Sequence, residues 1–552
     1  MPFTSKLTSP LVKCFWDSDI EAFNEVTKSS TLLGERAYFQ LCFGSNDDGQ
    51  GSSRLVYEIK SEIKDYINVS LVENVPVSMP CYYNIDDGNY LRRTPGIYPD
   101  KLTPINESTT FYIWPKYYRS LFFELDIPKD AKAGEYPIEI TIASPDKAFI
   151  YATQTYTVKI IDKVLPKQTL IHTEWFYTDC LADYYRVEPW SEEHWRIVEN
   201  FVKTAVRNGI NMILTPVVTP ELDTAVGWER TTVQLVDIKV TKGRFFFNFS
   251  KLDRWIDMLD RCGVEYIEIC HLFTQWGALH APKIMATVDG EYKRIFGWET
   301  DALGDDYKAF LKKFLPKLLD FLKKKGVDKR CVFHVSDEPN MNNIKHYKAC
   351  KKLISRYLKG YVIMDALSSL EFYKKGACEH PIPSNDHIQP FLDAKVPDLW
   401  TYYCCGQANE VSNRFLSMPG ERTRIIGYQL YKYDIKGFLQ WGYNFYNSGL
   451  SLRKMSPYQT TDGDFMVPAG DTFTVYPVND GTTNDTLHYT QFFMGLQDMR
   501  ALQLAESLYG KEKVLEVLEG GLEEKITFKK YPHGEEYLLS TREKINEMIE
   551  KA

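Results

Sequence analysis

The sequence predicts a multidomain chain: an N-terminal β-sandwich over residues 1–165, a (β/α)8 TIM-type barrel over 166–455, and a small C-terminal α+β extension, mostly helical and packed on the barrel, over 456–552. Three observations predict it. Before about residue 165, apolar residues alternate with period two between turn-forming residues, the mark of half-buried strands. From there on, short β-branched runs alternate with amphipathic helical stretches, the mark of parallel strands joined by helices. After the last such run, a Gly/Pro/Asp-rich segment gives way to helical periodicity over 487–508.

The N-terminal strands are read at 36–43, 54–59 and 67–72. Residues 120–127 and 136–142, separated by Pro128 to Gly134, read as a hairpin, and 153–161 closes the region with strict alternation. No cluster of acids or histidines stands out here, so the region is expected to support the barrel.

The barrel elements follow in order. Strand one is 169–176; a helix then starts at Ser191, an N-cap followed by two first-turn glutamates. Strand two is 211–215. A long excursion follows, carrying a hairpin between 231 and 249 and the residues Asp223 and Arg230, read as a structural ion pair. Helix 251–262 leads to strand three at 265–270, which runs into His271. Helix 307–325 precedes strand four, Cys331-Val-Phe-His-Val-Ser-Asp-Glu-Pro339; helix 342–358 precedes strand five at 361–364, ending at Asp365. Strand six is placed at 379–384 and strand seven at 398–403. Helix 422–433 leads to strand eight at 437–443. Eight such units suit a barrel of typically about 250 residues.

Composition narrows the function classes. At 552 residues the chain exceeds one ordinary domain, and 44% hydrophobic content is enough for large cores. The 74 acids against 66 Lys plus Arg give a net charge of -8, which argues against nucleic-acid partners. Eleven cysteines, an odd number with no Cys-x-x-Cys pair, suggest neither a zinc ribbon nor a thioredoxin-type site. No apolar run approaches the roughly 20 residues of a membrane span. Met-Pro-Phe-Thr-Ser-Lys at the start has no secretion-signal pattern, so a cytoplasmic location is expected, with no membrane partner. Neither a cofactor nor a metal is expected, since no phosphate loop, Schiff-base lysine or His/Asp metal set has convincing spacing. The oligomeric state is not written in the sequence.

In such barrels the active site lies at the C-terminal ends of the strands. Those ends carry aromatics and carboxylates: Trp175 with Tyr177, His271, Asp337 with Glu338, Asp365, Tyr402 with Tyr403, then Trp441, Tyr443 and Asn444. The adjacent acids Asp337 and Glu338 are the catalytic candidates; a local alternative makes them caps of the helix that follows Asn340. Trp175, His271, Tyr402, Tyr403, Trp441 and Asn444 are the substrate-binding candidates, and Asp471 and Tyr476 are read as folding over the mouth or tying down a loop. Carboxylate chemistry of this kind belongs to glycoside hydrolysis. Ordinary glycosidases place two carboxyls about 5–10 Å apart across the bond, yet strand seven ends Trp-Thr-Tyr-Tyr-Cys-Cys, with no acid before Glu410. Two adjacent acids instead suit a substrate-assisted reaction, in which the sugar's 2-acetamido oxygen is the nucleophile, Glu338 is the acid/base and Asp337 orients the acetamide. Neighbouring carboxylates raise one another's proton affinity, as a general acid requires. Both reach the mouth only if the chain turns at Glu338-Pro339.

Four stretches resemble glycoside hydrolase family 123 and its uncharacterised relatives: His334-Val-Ser-Asp-Glu-Pro339, His271-Leu-Phe-Thr-Gln-Trp-Gly277, Gly437-Phe-Leu-Gln-Trp-Gly-Tyr-Asn-Phe445 and Ala469-Gly-Asp-Thr-Phe-Thr-Val-Tyr-Pro477. The similarity spans 169–508, and the preceding β-region matches the family's layout. The resemblance implies β-N-acetylgalactosaminidase-type activity on a carbohydrate substrate by a substrate-assisted retaining mechanism, with Asp337 and Glu338 in the roles given above. Two other readings stay open: a non-catalytic carbohydrate-binding or scaffold protein on the same fold, and a two-carboxylate glycosidase recruiting Glu410 or another loop acid.

Overall fold

The computed structural model describes residues 3–46 and 51–552. The N-terminal region contains two five-stranded sheets. One runs in the order Thr4–Thr8, Arg36–Ser45, Tyr117–Asp126, Ile67–Val77, Gly96–Ile105; the other runs Lys28–Leu33, Ile150–Val164, Gly134–Ala143, Ser53–Lys60, Phe111–Ile113. Alternate residues of both meet in one core. Phe39 stacks on Phe123 of its own sheet at 4.4 Å and on Tyr156 of the other at 4.0 Å.

The expected hairpin is not formed. Tyr117–Asp126 pairs with Arg36–Ser45 and Ile67–Val77, whereas Gly134–Ala143 pairs with Ile150–Val164 and Ser53–Lys60. The segment between them crosses from one sheet to the other. Alternation fixes only which side chains face inward, and Leu121, Phe123 and Leu125 share a core with Ile138, Ile140 and Ile142. The same pattern therefore serves strands side by side or face to face.

Eight short parallel strands form the second unit: Ile171–Glu174, Met212–Thr215, Tyr266–Ile269, Cys331–Phe333, Val362–Ala366, His380–Ile382, Trp400–Tyr402 and Gly437–Gln440. They are the first to eighth barrel strands below. The first pairs with the second and the eighth, and neighbours pair in sequence around the ring. The sixth and seventh meet only at the Ser384–Tyr402 bridge, where Tyr402 N donates to Pro383 O at 3.1 Å and Asn385 N to Tyr402 O at 2.8 Å. The barrel is nearly closed, with that join as its seam.

The helices stand where the periodicity placed them. Glu192–Arg207 starts at Ser191, whose hydroxyl accepts from His194 N at 3.3 Å. Asp305–Lys325 ends in Gly326 with φ 76°, a left-handed stop natural to glycine. The excursions after the second and third strands each contribute a hairpin, Asp237–Thr241 with Arg244–Asn248 and Ile284–Val288 with Glu291–Phe296, and the two join in a four-stranded sheet. No helix among the described residues is long and apolar enough to cross a membrane.

The C-terminal helix Leu487–Tyr509 is buried on most sides. It meets helix Ile426–Lys432 so closely that a Cβ on Gly427 would lie 1.8 Å from Gly495 O. The last helix, Glu535–Lys551, carries Arg542 into a buried network joining all three parts of the chain. Its guanidinium donates to Glu35 at 2.7 and 2.8 Å and to Asp498 at 2.8 Å, while Asp498 also takes both arms of Arg424 at 2.7 and 2.9 Å. Removing one member leaves opposite charges buried without a partner. Arg542→Ala should cost about 3–5 kcal/mol in urea unfolding, and Arg542→Lys should recover little of it, because an ammonium cannot span both carboxylates in the same plane. A wild-type unfolding midpoint for Arg542→Ala would remove this network as the lock between the parts.

Candidate active site

The floor of the barrel mouth holds a buried chain of ionised groups. His334, immediately beyond the fourth strand, places Nε2 2.7 Å from Glu268 Oε1 and Nδ1 3.3 Å from Asp365 Oδ1. All three are fully buried. Burial works against an imidazolium, but Asp365 and Glu268 more than offset it and hold the His334 pKa up at about 10. Each carboxylate also positions other groups. Glu268 accepts from Trp175 Nε1 at 2.9 Å and from the Thr173 hydroxyl. Asp365 accepts from Val335 N at 3.0 Å, from Ser336 N at 3.3 Å and from the Tyr347 phenol at 2.6 Å. Asp365 thus fixes the two peptide units immediately before Asp337.

A second set of bonds laces this strand end to the loop after the third strand. Phe273 N donates to Val335 O at 3.2 Å and Trp276 N to Asp337 O at 2.8 Å. The Ser336 hydroxyl donates to Thr274 O and accepts from Gly277 N and Ala278 N. Held in this way, Glu338 adopts φ 39°, a left-handed conformation costly for a side chain with a Cβ. That is the turn expected at Glu338-Pro339, and it brings both carboxylates to one cavity. The helix-capping alternative is overturned: the following helix is Ile344–Ser355, with Asn343 at its cap position. Asn343 instead accepts from Asn340 N and donates to Trp276 O.

The cavity, of ≈ 190 Å³, has Asp337 and Glu338 on one wall. Burial first, then the charges of Glu338 and Asp365, drive the Asp337 pKa well above the usual carboxylate range; the His334 cation opposes them. Tyr402 donates its phenol to Glu338 Oε1 at 2.8 Å, and burial together with the Glu338 charge keeps that phenol protonated. Two indoles form further walls, each pinned through its N–H by a buried carboxylate: Trp175 by Glu268, and Trp441 by Asp471 Oδ2 at 2.8 Å. Asp471 can approach because the neighbour of Trp441 is Gly442, where a Cβ would meet Asp471 O at 2.7 Å. Burial pushes the Asp471 pKa up to about 6, against the Arg414 charge.

Of the residues singled out above, Asp337, Glu338, Trp175, Tyr402 and Trp441 converge on this cavity. His271, Tyr403 and Asn444 do not line it. His271 is buried behind Trp175, stacked on His334 at 4.4 Å with both ring nitrogens unpartnered. Its burial and the neighbouring cation hold its pKa well below the ordinary value, so the ring is neutral. Tyr403 points to the opposite side of its strand from Tyr402, against Phe438 and Phe492. Asn444 accepts from Tyr177 N at 2.8 Å and donates to Tyr177 O at 3.1 Å, holding the residue whose ring does line the cavity. Glu410 is exposed and stands outside the lining. Tyr476 is buried away from the cavity, its ring against Tyr458 and Phe473. The expected ion pair is also corrected. Arg230 gives both arms to Asp179, at 2.8 and 2.7 Å, while Asp223 turns to the cavity, its pKa pushed up to about 6 by burial against the Arg230 charge.

Residues 175–505 match the family model of the glycoside hydrolase 123 catalytic domain. The chain belongs to glycoside hydrolase family 123. Over its full length it also resembles a family 123 glycoside hydrolase from Clostridium perfringens, whose structure was described for glycolipid glycan hydrolysis. The TM-score is 0.75 at 16% identity, covering 100% of this chain and 98% of that one, a likeness of fold. A family 5 mannosidase from Rhizomucor miehei aligns over 60% of this chain and 95% of its own at 13% identity with a TM-score of 0.31, too distant to carry an argument. No curated protein matches the sequence.

Family 123 membership makes this protein a glycoside hydrolase acting on carbohydrate. The lining also takes in the strand-end Tyr177 and Asp223, together with Gln275, Trp276, Cys404, Cys405, Met466 and the apolar Leu222, Ala366 and Leu439. Gln275 and Trp276 lie inside the quoted family 123 motif 271–277, the signal that marks them. Asp223 and Met466 sit on long loops with no local signature. His271, His334 and Asp365 bring three potential metal-ligand atoms within 4.8 Å of one another. The two rings, however, are stacked with planes 24° apart, so their in-plane lone pairs run side by side rather than meeting at an ion about 2.1 Å away.

The His334 charge has a measurable consequence. Its pKa is raised by folding above an ordinary value of about 6.5, so its stabilisation is complete below that pH and is lost as the pH rises toward about 10. Urea-unfolding free energy should therefore decline between pH 7 and 10, and nitrogen-15 spectra at about pH 8.5 should show the His334 ring as an imidazolium. Neutral rings throughout at that pH would remove the cation from the floor of the site.

Proposed function

We propose that this protein hydrolyses β-linked N-acetylhexosaminides, N-acetylgalactosaminides in the first place, by a substrate-assisted mechanism that retains the anomeric configuration. The observation carrying the proposal is that adjacent Asp337 and Glu338 line one cavity while the seventh strand contributes no acid to it, its Tyr402 instead donating to Glu338. The acetamido oxygen attacks the anomeric carbon as the glycosidic bond breaks, and Glu338 gives its proton to the departing oxygen. Asp337 accepts the acetamido N–H and stabilises the positive charge of the cyclised intermediate. Glu338, now a carboxylate, takes a proton from the water that reopens the ring. Trp175 and Trp441, locked by buried carboxylates, offer the flat apolar faces that a sugar ring packs on.

A second reading rests on Asp223, the further carboxylate in the lining among the described residues. It makes Asp223 the nucleophile of an ordinary retaining pair with Glu338. The two readings part on the substrate. A substrate-assisted enzyme loses its nucleophile when the 2-acetamido group is replaced by hydroxyl, whereas a two-carboxylate enzyme does not.

On nitrophenyl β-N-acetylgalactosaminide, Glu338→Gln should lower kcat by at least about 10²–10⁴, and Asp337→Asn should fall by a similar factor. The matched 2-hydroxy glycoside should be turned over at a small fraction of the acetamido rate. Full activity in either variant, or equal rates on the two glycosides, would overturn this mechanism.

A further inference from the structure

Asp223 is held as a binding group is held, and the hydrolytic mechanism does not use it. It lies on the long loop after the second strand with φ 44°, in the left-handed region. Neighbouring loops fix its backbone on both sides: its N–H donates to the Gln275 side-chain carbonyl, and its carbonyl accepts from the Ser451 hydroxyl at 2.6 Å. Gln275 is itself anchored, donating to Thr224 O at 2.9 Å. One carboxylate oxygen, Oδ2, accepts from Leu450 N at 3.0 Å.

The other oxygen, Oδ1, has no protein partner among the described residues. Arg230, the cation on the same loop, has its fork filled by Asp179 and Leu222 O. The same cavity is lined by Asp337 and Glu338, two further acids, and by no cation among the described residues. An unpartnered carboxylate oxygen on a half-buried residue lining a cavity together with two other acids is unfavourable unless a ligand brings a donor. Its rigid suspension between three loops suits a directed hydrogen bond rather than diffuse charge attraction.

Resting on the glycoside-hydrolase reading of this cavity, we propose that Asp223 Oδ1 accepts a hydrogen bond from a ring hydroxyl of the bound sugar, making Asp223 a specificity-determining residue rather than the nucleophile. A hydroxyl bonded to a charged acceptor contributes enough to change affinity by about tenfold to a hundredfold. A site built around such a bond rejects the sugar lacking that hydroxyl.

The test is a cycle of side-chain and hydroxyl deletions on the full chain. Nitrophenyl β-N-acetylgalactosaminide and its 3-, 4- and 6-deoxy analogues are assayed with wild type, Asp223→Ala and Asp223→Asn, with melting curves confirming that each variant is folded. In wild type, one deoxy analogue should lose about tenfold or more in kcat/KM. In Asp223→Ala the parent sugar should suffer that loss chiefly through KM, and the penalty for the missing hydroxyl should vanish. Asp223→Asn, which keeps a carbonyl acceptor, should fall between. Persistence of the full deoxy penalty in Asp223→Ala would overturn the proposal. So would collapse of kcat with KM unchanged, which assigns Asp223 to chemistry. Should plain 2-hydroxy glycosides prove the true substrates, the substrate-assisted mechanism fails, but the same cycle on those sugars still decides Asp223. Should nothing be hydrolysed, calorimetry with free N-acetylgalactosamine and its deoxy analogues decides it, equal binding to wild type and Asp223→Ala being the overturning result.

Discussion

The active-site end of the barrel depends on one buried cation. His334 sits between Glu268 and Asp365, all three fully buried. In a low-dielectric interior such an arrangement is unfavourable in parts and tolerable only as a whole. Glu268 spans from the third strand to the Trp175 indole and Thr173 on the first; Asp365, on the fifth, holds the peptides leading into Asp337. Four of the eight strands are thereby referenced to one imidazolium. The geometry of the acids and of one wall of the cavity follows from it. So does the electrostatic bias, because the same cation opposes the accumulation of negative charge around Asp337 without abolishing it.

Above this rigid floor the rim is built differently. Asp223, Trp276, Ala278, Glu338, Leu450, Ser451, Asp464 and Phe465 all have positive φ without being glycine, and they lie on the loops around the cavity. Each such residue costs on the order of 1 kcal/mol or more, and the loops retain these conformations because they bind one another. Gln275 and Ser451 hold Asp223, Asn343 holds Trp276, and Ser336 holds Gly277 and Ala278. The energy that keeps the strain in place comes from the scaffold below, including the buried Arg542 network that fixes the N-terminal sheets and the last helices against the barrel.

Most strands of the barrel are legible as short apolar runs, Met212–Thr215 and Cys331–Phe333 among them, a signal that survives without any knowledge of partners, whereas the sixth, His380–Ile382, carries little of it. Asp337 and Glu338 were legible for the opposite reason, as two acids where such a run should stay apolar. What escaped is what depends on pairing. The strands Tyr117–Asp126 and Gly134–Ala143 have the same alternation whether they lie side by side or face to face. Strand-end position alone could not separate Tyr402 from Tyr403, though the two-residue period of a strand requires that only one of them face the cavity. His271 carries the right chemistry at a strand end, but His334 occupies the space beside it and Trp175 screens it from substrate. Arg230 reads in the sequence as the partner of Asp223 on the same loop, whereas its partner is Asp179, on a helix earlier in the chain.

The buried and half-buried acids around the barrel mouth sort by one criterion, how completely the protein itself satisfies them. Glu268 and Asp365 accept from several donors each, and Asp471 is filled by Gln440 and Trp441. These carboxylates are spent on structure, and they hold the indoles, the phenols and the strand end in place. Asp337, Glu338 and Asp223 line the cavity with acceptor capacity left over: Glu338 takes one phenol, Asp223 one backbone N–H, and Asp337 is met by like charge. Unfilled acceptors in a sheltered cavity are unfavourable in the empty protein and become favourable when a polyhydroxylated ligand supplies donors. Three acids of the same chemistry as their neighbours are thus set apart by what the fold declines to give them, which is the physical ground for proposing them as the site.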